Sequence, residues 1–383
     1  PSNPDILNSG FDLYLENNQY LFTGGIDIYE DLTKITSDRY QFVLPYYNFS
    51  KNSMAIKNGV FNFNSSGNHI LDNTNNSKSR VINNFNFKLN DKIFTNIGLK
   101  NNLNFYFKNL NSIGKNVDDY KSNPQVELQS LFEFYSELPL SKKTNANNQT
   151  LVPRISFRFN PGNMKNHATD ERRITTNNIF DINRLGIEDS LEAGNSLTFG
   201  IDYKLENNQN NRNVEFKLAS VLRDNDENNI PTQTTLNKKN SNIFGSIDYN
   251  LSEIISIDYN FAMNNKIDKF NYNSIGLNLS LNNFVTEFNF IEEDNASNNT
   301  NVLENISRLK FNDKNSISFK TRRNREINLT EYYNLIYEYK NDCLTAGIRF
   351  DKTYYEDRDL KPSENLMFTI SFYPLTTIEQ SVE

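Results

Sequence analysis

Residues 329–373 read LTEYYNLIYEYKNDCLTAGIRFDKTYYEDRDLKPSENLMFTISFY and contain three β-like segments in a row, joined first by a tight turn and then by a polar loop. In the last segment two sets of side chains alternate, Leu366, Phe368, Ile370 and Phe372 with Asn365, Met367, Thr369 and Ser371. A period of two predicts a strand with one apolar face. Because a long half-apolar strand at the end of a sheet would aggregate in water, this stretch favours a sheet closed in lipid.

The same alternation recurs along the whole chain, interrupted by clusters of Asn, Asp, Lys and Gly. In the segment 195–206, for example, Phe199 and Ile201 share one face while Asp202 and Lys204 share the other. The pattern predicts about nineteen strands, at 10–16, 19–29, 37–49, 59–65, 80–89, 93–107, 124–139, 150–159, 195–206, 213–222, 242–250, 252–262, 272–281, 283–292, 301–311, 315–322, 329–340, 343–354 and 364–373. Residues 178–189 are the one segment for which a short helix, within a loop, is considered.

The predicted connections fall into two alternating classes. One class is mostly tight, as at 17–18, 251, 282 and 341–342, and the other is mostly long, as at 66–79, 108–123, 160–194 and 223–241. Short turns on one rim and long loops on the other are typical of an outer-membrane β-barrel. If the chain ends in the periplasm, the tight turns all lie on the periplasmic rim. A soluble β-sandwich or solenoid is the alternative at this point.

The composition and net charge of the chain argue against several classes of protein. The chain has 383 residues and a net charge of -7, which argues against a nucleic-acid-binding protein. A hydrophobic content of 37% suits a barrel whose strands need only one apolar face, and 29 Phe and 20 Tyr argue against disorder. No run of apolar residues is long enough for a transmembrane helix. Because the chain begins at Pro1 without a signal peptide, we expect a processed product or a fragment.

Motifs for catalysis or metal binding are absent from the sequence. It has no HExxH, Walker loop, GxSxG or zinc-spaced Cys pair. His69 and His167 fall in predicted long loops, where solvated side chains are expected. The sequence therefore predicts a protein that is not an enzyme and has neither a cofactor nor a catalytic residue.

A cluster of arginines follows the predicted strand at 315–322. Arg322, Arg323 and Arg325 lie in a hairpin that the topology places outside the cell. Arginine there can hold the phosphates of lipopolysaccharide head groups through charge-assisted bonds. A merely solvated basic loop is the other interpretation.

Several stretches together resemble the barrel of the LptD family, the lipopolysaccharide-assembly proteins of the outer membrane. They are DRYQFVLPYYNFS (38–50), NPQVELQSLFEF (123–134), LVPRISFRFNP (151–161), IFDINRLGIEDSLEAGNSLTFGIDY (179–203), EYKNDCLTAGIRF (338–350) and ENLMFTISF (364–372). The resemblance implies a transmembrane antiparallel outer-membrane β-barrel of about 26 strands. Residues 1–383 would be its partial C-terminal barrel domain, preceded by about seven more strands and a periplasmic jelly-roll domain.

The resemblance also implies partners. The barrel would receive lipopolysaccharide from a periplasmic LptA-like bridge protein through the N-terminal domain, hold an LptE-like plug lipoprotein, and release its cargo among outer-membrane lipids. A seam between the first and last strands would open sideways. On this chain its last-strand side maps to Asn365, Leu366, Met367, Phe368, Thr369, Ile370, Ser371, Phe372 and Tyr373.

Cys343 acquires a role from the same resemblance. Family members bond a cysteine in this turn to cysteines nearer the N-terminus, and here Asp342 stands where a second cysteine is sometimes found. Cys343 is therefore a candidate for one disulfide to a cysteine outside this sequence. A free thiol is the alternative.

These features predict a lipopolysaccharide export channel. Sugar would pass through the lumen while acyl chains leave through the wall, because neither a pore nor the bilayer alone suits the whole molecule. The polar side chains at alternate strand positions would line the hydrated path through the lumen. The lumen-facing candidates are Asp202, Lys204, Asp258, Asn260 and Asn278. A diffusive porin-like channel and a soluble β-rich adhesion protein are the alternative functions.

Overall fold

The computed structural model describes residues 6–34, 38–73, 75–94, 96–117, 120–209, 212–294, 299–354, 362–372 and 376–382. They form 22 strands. In chain order these are β1 (Ile6–Glu16), β2 (Tyr20–Asp31), β3 (Tyr40–Ile56), β4 (Gly59–Asp72), β5 (Asn76–Leu89), β6 (Lys92–Phe94), β7 (Leu99–Lys115), β8 (Gln125–Glu137), β9 (Leu140–Lys143), β10 (Asn147–Asn160), β11 (Gly194–Asn207), β12 (Asn213–Arg223), β13 (Ile243–Asn250), β14 (Ile255–Met263), β15 (Phe270–Leu281), β16 (Phe284–Asp294), β17 (Asn299–Lys310), β18 (Asn315–Asn324), β19 (Leu329–Lys340), β20 (Leu344–Thr353), β21 (Ser363–Phe372) and β22 (Thr376–Val382).

All of these strands belong to one antiparallel sheet in which sequence neighbours pair. The short strands β6 and β9 are the exceptions. β7 pairs with both β5 and β6, and β10 pairs with both β8 and β9. Among the described strands no hydrogen-bonded ladder joins β1 to β22. A helix long and apolar enough to cross a membrane is not found in the described part of the chain.

The nineteen predicted strands are all present, and the count was too low. The additional strands are β6, β9 and β22. The prediction of one strand at 93–107 was wrong, because a turn separates β6 from β7. The segment predicted as the last strand is β21, which pairs with β20 on one side and β22 on the other. β22 escaped prediction because its sequence TTIEQSV has almost no apolar alternation.

Several strands are longer at the long-loop rim than predicted. The expected loop at 66–79 is a tight hairpin, because β4 continues to Asp72 and β5 begins at Asn76. His69 therefore lies in β4 and not in a loop, and its Nδ1 is 2.6 Å from Ser79 Oγ. These strand ends are mostly polar, and the adjacent apolar residues Ile70 and Leu71 point to opposite faces, so there is no alternation by which to recognise a strand.

The two faces of the sheet differ in chemistry. We call the face on which residues 161–193 pack the inner face, and the opposite one the outer face. Large apolar side chains stand exposed on the outer face, among them Phe157, Phe199, Ile201, Ile257, Ile275, Leu335, Ile348, Phe368 and Ile370. Polar side chains dominate the inner face of the same strands. Apolar outside and polar inside is the pattern of a transmembrane β-barrel wall, and that is the fold of this chain.

The buried core lies inside this wall. Residues 161–193, which connect β10 to β11, and residues 224–242, which connect β12 to β13, fold against the inner face. Ile179, Ile230 and Leu236 are fully buried there. Burying such side chains contributes about 1.5–3 kcal/mol each. The helix considered at 178–189 is absent, since those residues form a series of turns.

Candidate functional site on the inner face

The segment 161–193, called the inner loop from here on, lies across the inner face. It carries Ile174, Ile179, Leu185 and Ile187 at spacings that suit neither a helix nor a strand. These side chains pack against Val221 and other inner-face residues of β12, β13 and β14. The inner loop is thus held by apolar burial, although its sequence is mostly polar.

Its reach is wide. At one end Arg80 of β5 forms an ion pair with Glu188, at 2.8 Å. At the other end Arg173 forms an ion pair with Glu293 of β16 and lies 4.1 Å from the centre of the Tyr272 ring. The inner loop therefore covers the wall from β5 to β16, which we call the covered wall.

A buried ion network fastens the inner loop to this wall. Glu192 accepts hydrogen bonds from Arg184 Nε at 2.7 Å and from Arg223 Nη1 at 2.5 Å. Arg184 Nη1 also donates to Thr198 Oγ1 at 2.8 Å, which ties the loop to β11. Glu192 is 8% exposed and Arg184 is 3% exposed, so water screens these charges little.

A second carboxylate extends the network. Arg158 of β10 donates through Nε to Glu133 of β8 at 3.0 Å, and its Nη1 lies 3.9 Å from Glu192. Ser156 and Asn104 also donate to Glu133, each at 2.7 Å. Three arginines thus face two glutamates in a buried space, so that loss of either carboxylate leaves positive charge uncompensated.

The pKa of Glu192 reflects these neighbours. Burial alone would raise the pKa of this carboxyl, but Arg184, Arg223 and Arg158 outweigh burial and lower it to about 2. Glu192 is therefore ionised at any physiological pH.

The backbone at the exit of the inner loop suits this packing. Gly194 opens β11 with φ 77°, a conformation that favours glycine, and a Cβ there would lie 3.1 Å from Arg223 Nη2. Gly200, six residues further along β11, leaves room for the Phe180 ring, which lies 2.6 Å from the position of a Cβ atom. Both glycines allow close approach of the inner loop to the wall.

His167 is not the solvated loop residue that was expected. Its Nδ1 is 3.0 Å from Asp170 Oδ2, and its Nε2 is 3.1 Å from Asp189 Oδ1. The contact with Asp189, and the one with Asp170, raise the pKa of His167 above its usual value although partial burial opposes this. Burial would raise the pKa of Asp189, but His167 and Lys165 lower it to about 2.

The lumen-facing candidates all lie on the inner face. Asp202 forms an ion pair with Arg154 at 2.7 Å, and Lys204 with Glu206 at 2.5 Å. The other three, Asp258, Asn260 and Asn278, lie on β14 and β15 with register partners that share this face, Asp248, Ser246 and Ser256. The five do not converge on one point, and they are spread along the wall.

The seam candidates lie on β21, except Tyr373, which is outside the described residues. Leu366, Phe368, Ile370 and Phe372 point to the outer face and Asn365, Met367, Thr369 and Ser371 to the inner face. Phe368 and Ile370 are each 42% exposed.

The three candidate arginines each contact a different partner. Arg322 is on β18 and pairs with Glu331 at 2.8 Å, while Arg323 donates to Asn328 Oδ1. Arg325, in the following turn, lies 5.5 Å from the centre of the Phe290 ring. Arg322 and Arg323 thus belong to the strand and only Arg325 to the loop, which corrects their expected placement in the hairpin.

Cys343 lies in the turn between β19 and β20, on the rim with the short turns. Its thiol is free and exposed. In the described part of the chain, no group of three or more His, Cys, Asp or Glu side chains is placed to hold a metal ion.

The Glu192 network was missed by reasoning from the sequence. Its members lie on β8, β10, the inner loop and β12, so no local motif unites them. One signal was available, because Arg158 is a charged residue on the polar face of the strand that precedes an unusually long connection.

Comparison with known proteins identifies similar sequences and folds. A family model described as "LptD: LPS transport system D" matches residues 13–320. No curated protein matches the chain. The solved structures that resemble it include the siderophore receptor PirA from Pseudomonas aeruginosa, with 7% identity, a TM-score of 0.46, and coverage of 98% of this chain and 73% of that one.

Two further structures are similar to the same degree. The ferric enterobactin receptor of Pseudomonas aeruginosa has 10% identity and a TM-score of 0.44, with 98% of this chain and 71% of that one covered. The siderophore receptor PirA from Acinetobacter baumannii has 9% identity and a TM-score of 0.44, with 97% and 72% covered. Similarity at this level bears on neither ligand nor partner.

Proposed function

Because the chain belongs to the LptD family and acts in lipopolysaccharide transport and assembly at the outer membrane of a Gram-negative cell, we propose that its two faces divide the cargo. The glycan moves along the polar inner face. The acyl chains leave through the wall beside β21 and reach the outer leaflet. No catalytic step is part of this proposal.

The observation that carries the proposal is the chemical difference between the two faces. Exposed apolar side chains on the outer face match lipid tails, whereas charged and amide side chains on the inner face match a hydrated, charged glycan. A molecule with both parts has to contact both faces during its passage. An opening in the wall is the one place where it can do so without moving sugar through hydrocarbon.

Position along the sheet supports β21 as a border of that opening. β21 pairs with β20 through ten residue pairs but with β22 through only seven. The sheet therefore separates between β21 and β22 with fewer ladder hydrogen bonds broken than between β20 and β21. We therefore keep Asn365, Leu366, Met367, Phe368, Thr369, Ile370, Ser371 and Phe372 as candidates for the seam.

Family membership implies lipopolysaccharide handling together with other components of the transport system. In finer detail we propose an LptE-like lipoprotein that fills the lumen and an LptA-like bridge that delivers cargo from the periplasm. The bare inner face of β17–β21 offers exposed ion pairs, such as Lys320 with Glu304 at 3.2 Å, for such a lipoprotein to contact. Copurification of a lipoprotein whose cross-links map to β17–β21 supports this, and its recovery without such cross-links counts against it.

Cys343 is proposed to form a disulfide with a cysteine outside this sequence. Its exposure on the short-turn rim, the periplasmic side in an outer-membrane barrel, favours a bond that persists in an oxidising compartment. A native full-length protein whose Cys343 reacts with maleimide only after reduction supports the bond. Equal labelling with and without reductant means a free thiol.

We also propose that Arg322, Arg323 and Arg325 contact the phosphates of lipopolysaccharide on the outside of the cell. Arg323 and Arg325 are exposed, although each already has a partner within the protein. We expect the triple change of Arg322, Arg323 and Arg325 to Gln to lower retention of lipopolysaccharide on the purified protein about twofold. Unchanged retention removes this role.

The division of cargo is tested with photo-crosslinking residues at neighbouring positions of β14 that point to opposite faces. Asn260 lies on the inner face and Ile257 on the outer face. In living cells we expect lipopolysaccharide adducts at residue 260 that disappear when delivery is blocked, and at residue 257 a signal that does not depend on delivery. Equal dependence at both positions, or an open-channel conductance of the purified protein, favours a diffusive channel instead.

A further inference from the structure

A cavity of about 1060 Å³ lies on the inner face at the long-loop rim, between the ends of β4, β5, β7 and β8 and the inner loop. Its size is at the upper end of that of small-molecule sites, which is enough for a few sugar rings. It is separate from the Glu192 network, none of whose members line it. A large polar cavity holds solvent or a polar ligand, and the charges of its lining determine which type of ligand it binds.

Charged side chains of both signs line the cavity. The cations are Lys78, Arg80, Lys121, Lys165 and Arg172, and the acids are Glu127, Asp170, Glu188 and Asp189. All four carboxylates are already paired. Arg80 holds Glu188 at 2.8 Å, and Lys165 lies between Glu127 at 3.5 Å and Asp189 at 3.6 Å. Asp170 contacts His167 at 3.0 Å.

Two of the cations differ from the rest. The side chains of Lys121 and Arg172 are exposed and make no hydrogen bond or ion pair with any residue in the described ranges. Because the acids are neutralised by other partners, these two cations set the sign of the potential inside the cavity. An ammonium and a guanidinium that have no partner among the described residues are the kinds of group that bind phosphate or carboxylate, and the guanidinium binds such groups in a bidentate manner.

Neutral polar groups complete the lining. Asn68 and Thr169 present an amide and a hydroxyl to the same space. Amides and hydroxyls both donate and accept hydrogen bonds, as the hydroxyl groups of a sugar require. Lys165 also lines the cavity, and its Nζ is 4.8 Å from the centre of the ring of Tyr120, which precedes Lys121 in the chain.

We infer that this cavity binds an acidic sugar, with Lys121 and Arg172 contacting its phosphate or carboxylate group and Asn68 and Thr169 contacting its hydroxyls. The inference rests on the proposed function, because the glycan of lipopolysaccharide is the acidic sugar that would reach the outer end of the inner face. The cavity holds that glycan for a short time before release outside.

Defined sugars test the inference on the full-length protein purified in detergent. The probes are glucosamine 6-phosphate, glucuronic acid and uncharged N-acetylglucosamine, with dissociation constants measured by calorimetry or ligand-observed NMR. The test variant is Lys121→Gln with Arg172→Gln. The matched control is Lys142→Gln with Lys143→Gln, which removes two exposed cations of β9 at the opposite rim.

We expect roughly tenfold weaker binding of an acidic sugar in the test variant and unchanged binding in the control. The acidic sugar that shows the loss identifies the group recognised, phosphate or carboxylate. Equal affinities in the two variants, or N-acetylglucosamine binding as tightly as the acidic sugars, overturn the inference. Each variant is first shown to be folded by its migration in an unheated gel.

Failure of this site and failure of the proposed function give different results. Delivery-dependent adducts at residue 260, together with no loss of acidic-sugar binding in the test variant, would rule out the sugar site but support passage of the glycan along the inner face. A tenfold loss of binding without adducts at residue 260 would support the sugar site but rule out that passage.

Discussion

The covered wall, from β5 to β16, and the bare wall, from β17 to β21, follow the same alternation of apolar and polar residues but use their inner faces differently. In the covered wall the inner loop buries inner-face charges such as Arg158 and Glu133, which are 1% and 3% exposed. In the bare wall comparable charges stay in contact with solvent. The side chains of Lys320 and Glu304 are 43% and 27% exposed.

The difference shows that the strands alone do not determine how much an ion pair contributes to the stability of the fold. A buried pair lacks solvent screening, so its removal leaves an uncompensated charge. An exposed pair gains little because water and salt screen it. The covered wall is therefore expected to be sensitive to single substitutions, and the bare wall to tolerate them.

The largest expected effect is that of Glu192→Gln. Removing this carboxylate leaves Arg184 and Arg223 without their shared anion, so the closed position of the inner loop should lose about 3 kcal/mol. The matched change in the bare wall, Glu304→Gln, weakens contacts with Lys320 and Tyr332 and should cost under about 1 kcal/mol. Native-state hydrogen exchange of peptides from 161–193 and from β17 measures both. Similar losses at the two sites would show that the buried network does not hold the loop.

A smaller effect is expected from adding one methyl group. Gly200→Ala places Cβ against the Phe180 ring and should destabilise the covered wall by about 1–3 kcal/mol. Gly347→Ala in β20 meets its nearest atom at 3.4 Å, so its cost should stay within about 0.5 kcal/mol. Urea midpoints of the folded band in unheated gels compare the two variants. If Gly200→Ala is as mild as Gly347→Ala, Phe180 does not pack where the structure places it.

Inner-loop closure is also expected to depend on pH. The pKa of Glu192 is lowered from 4.5 to about 2, so its contribution is complete above pH 4.5 and is lost as the pH falls toward 2. The pKa of His167 is raised above 6.5, chiefly by Asp189, so its contribution is present below pH 6.5 and is lost as the pH rises through the raised value.

A fluorophore at residue 169, in a Cys343→Ser background, reports loop opening in urea across this range. We expect the opening midpoint to fall at both ends of the pH scale. Glu192→Gln should remove the acidic fall, and His167→Gln the alkaline one. A bare-wall probe at residue 334 should be insensitive to either substitution, and a response there would contradict a local origin.

The strands could be predicted from the sequence because alternation is a local property. A stretch of ten residues is enough to assign Phe199 and Asp202 to opposite faces, and every predicted strand has a counterpart, although the one at 93–107 is divided between β6 and β7. β22 could not be found in this way, because TTIEQSV has only two apolar residues, Ile378 and Val382, and is placed only by pairing with β21. His69 was assigned to a loop for the same reason.

The site was harder to predict than the strands. The inner loop has the composition of an exposed connection, and Ile179 and Leu185 acquire a partner only when the wall curves around them. Glu192 meets Arg158 and Arg223 across three separate segments, and this proximity has no signature in spacing. Faces of strands are thus readable from sequence, but the packing of a loop onto a face is not.

The most direct test of the central claim compares outer-face positions of β21 with one far from it. Photo-crosslinking residues replace Phe368, Ile370 and, as a control, Ile275, which is similarly exposed on the outer face of β15. In living cells carrying the full-length protein, lipopolysaccharide adducts at 368 and 370 should vanish when delivery is blocked, while those at 275 should not change. Adducts that are independent of delivery at all three positions would mean that lipopolysaccharide reaches β21 only as surrounding lipid, and the proposed exit beside β21 would be wrong.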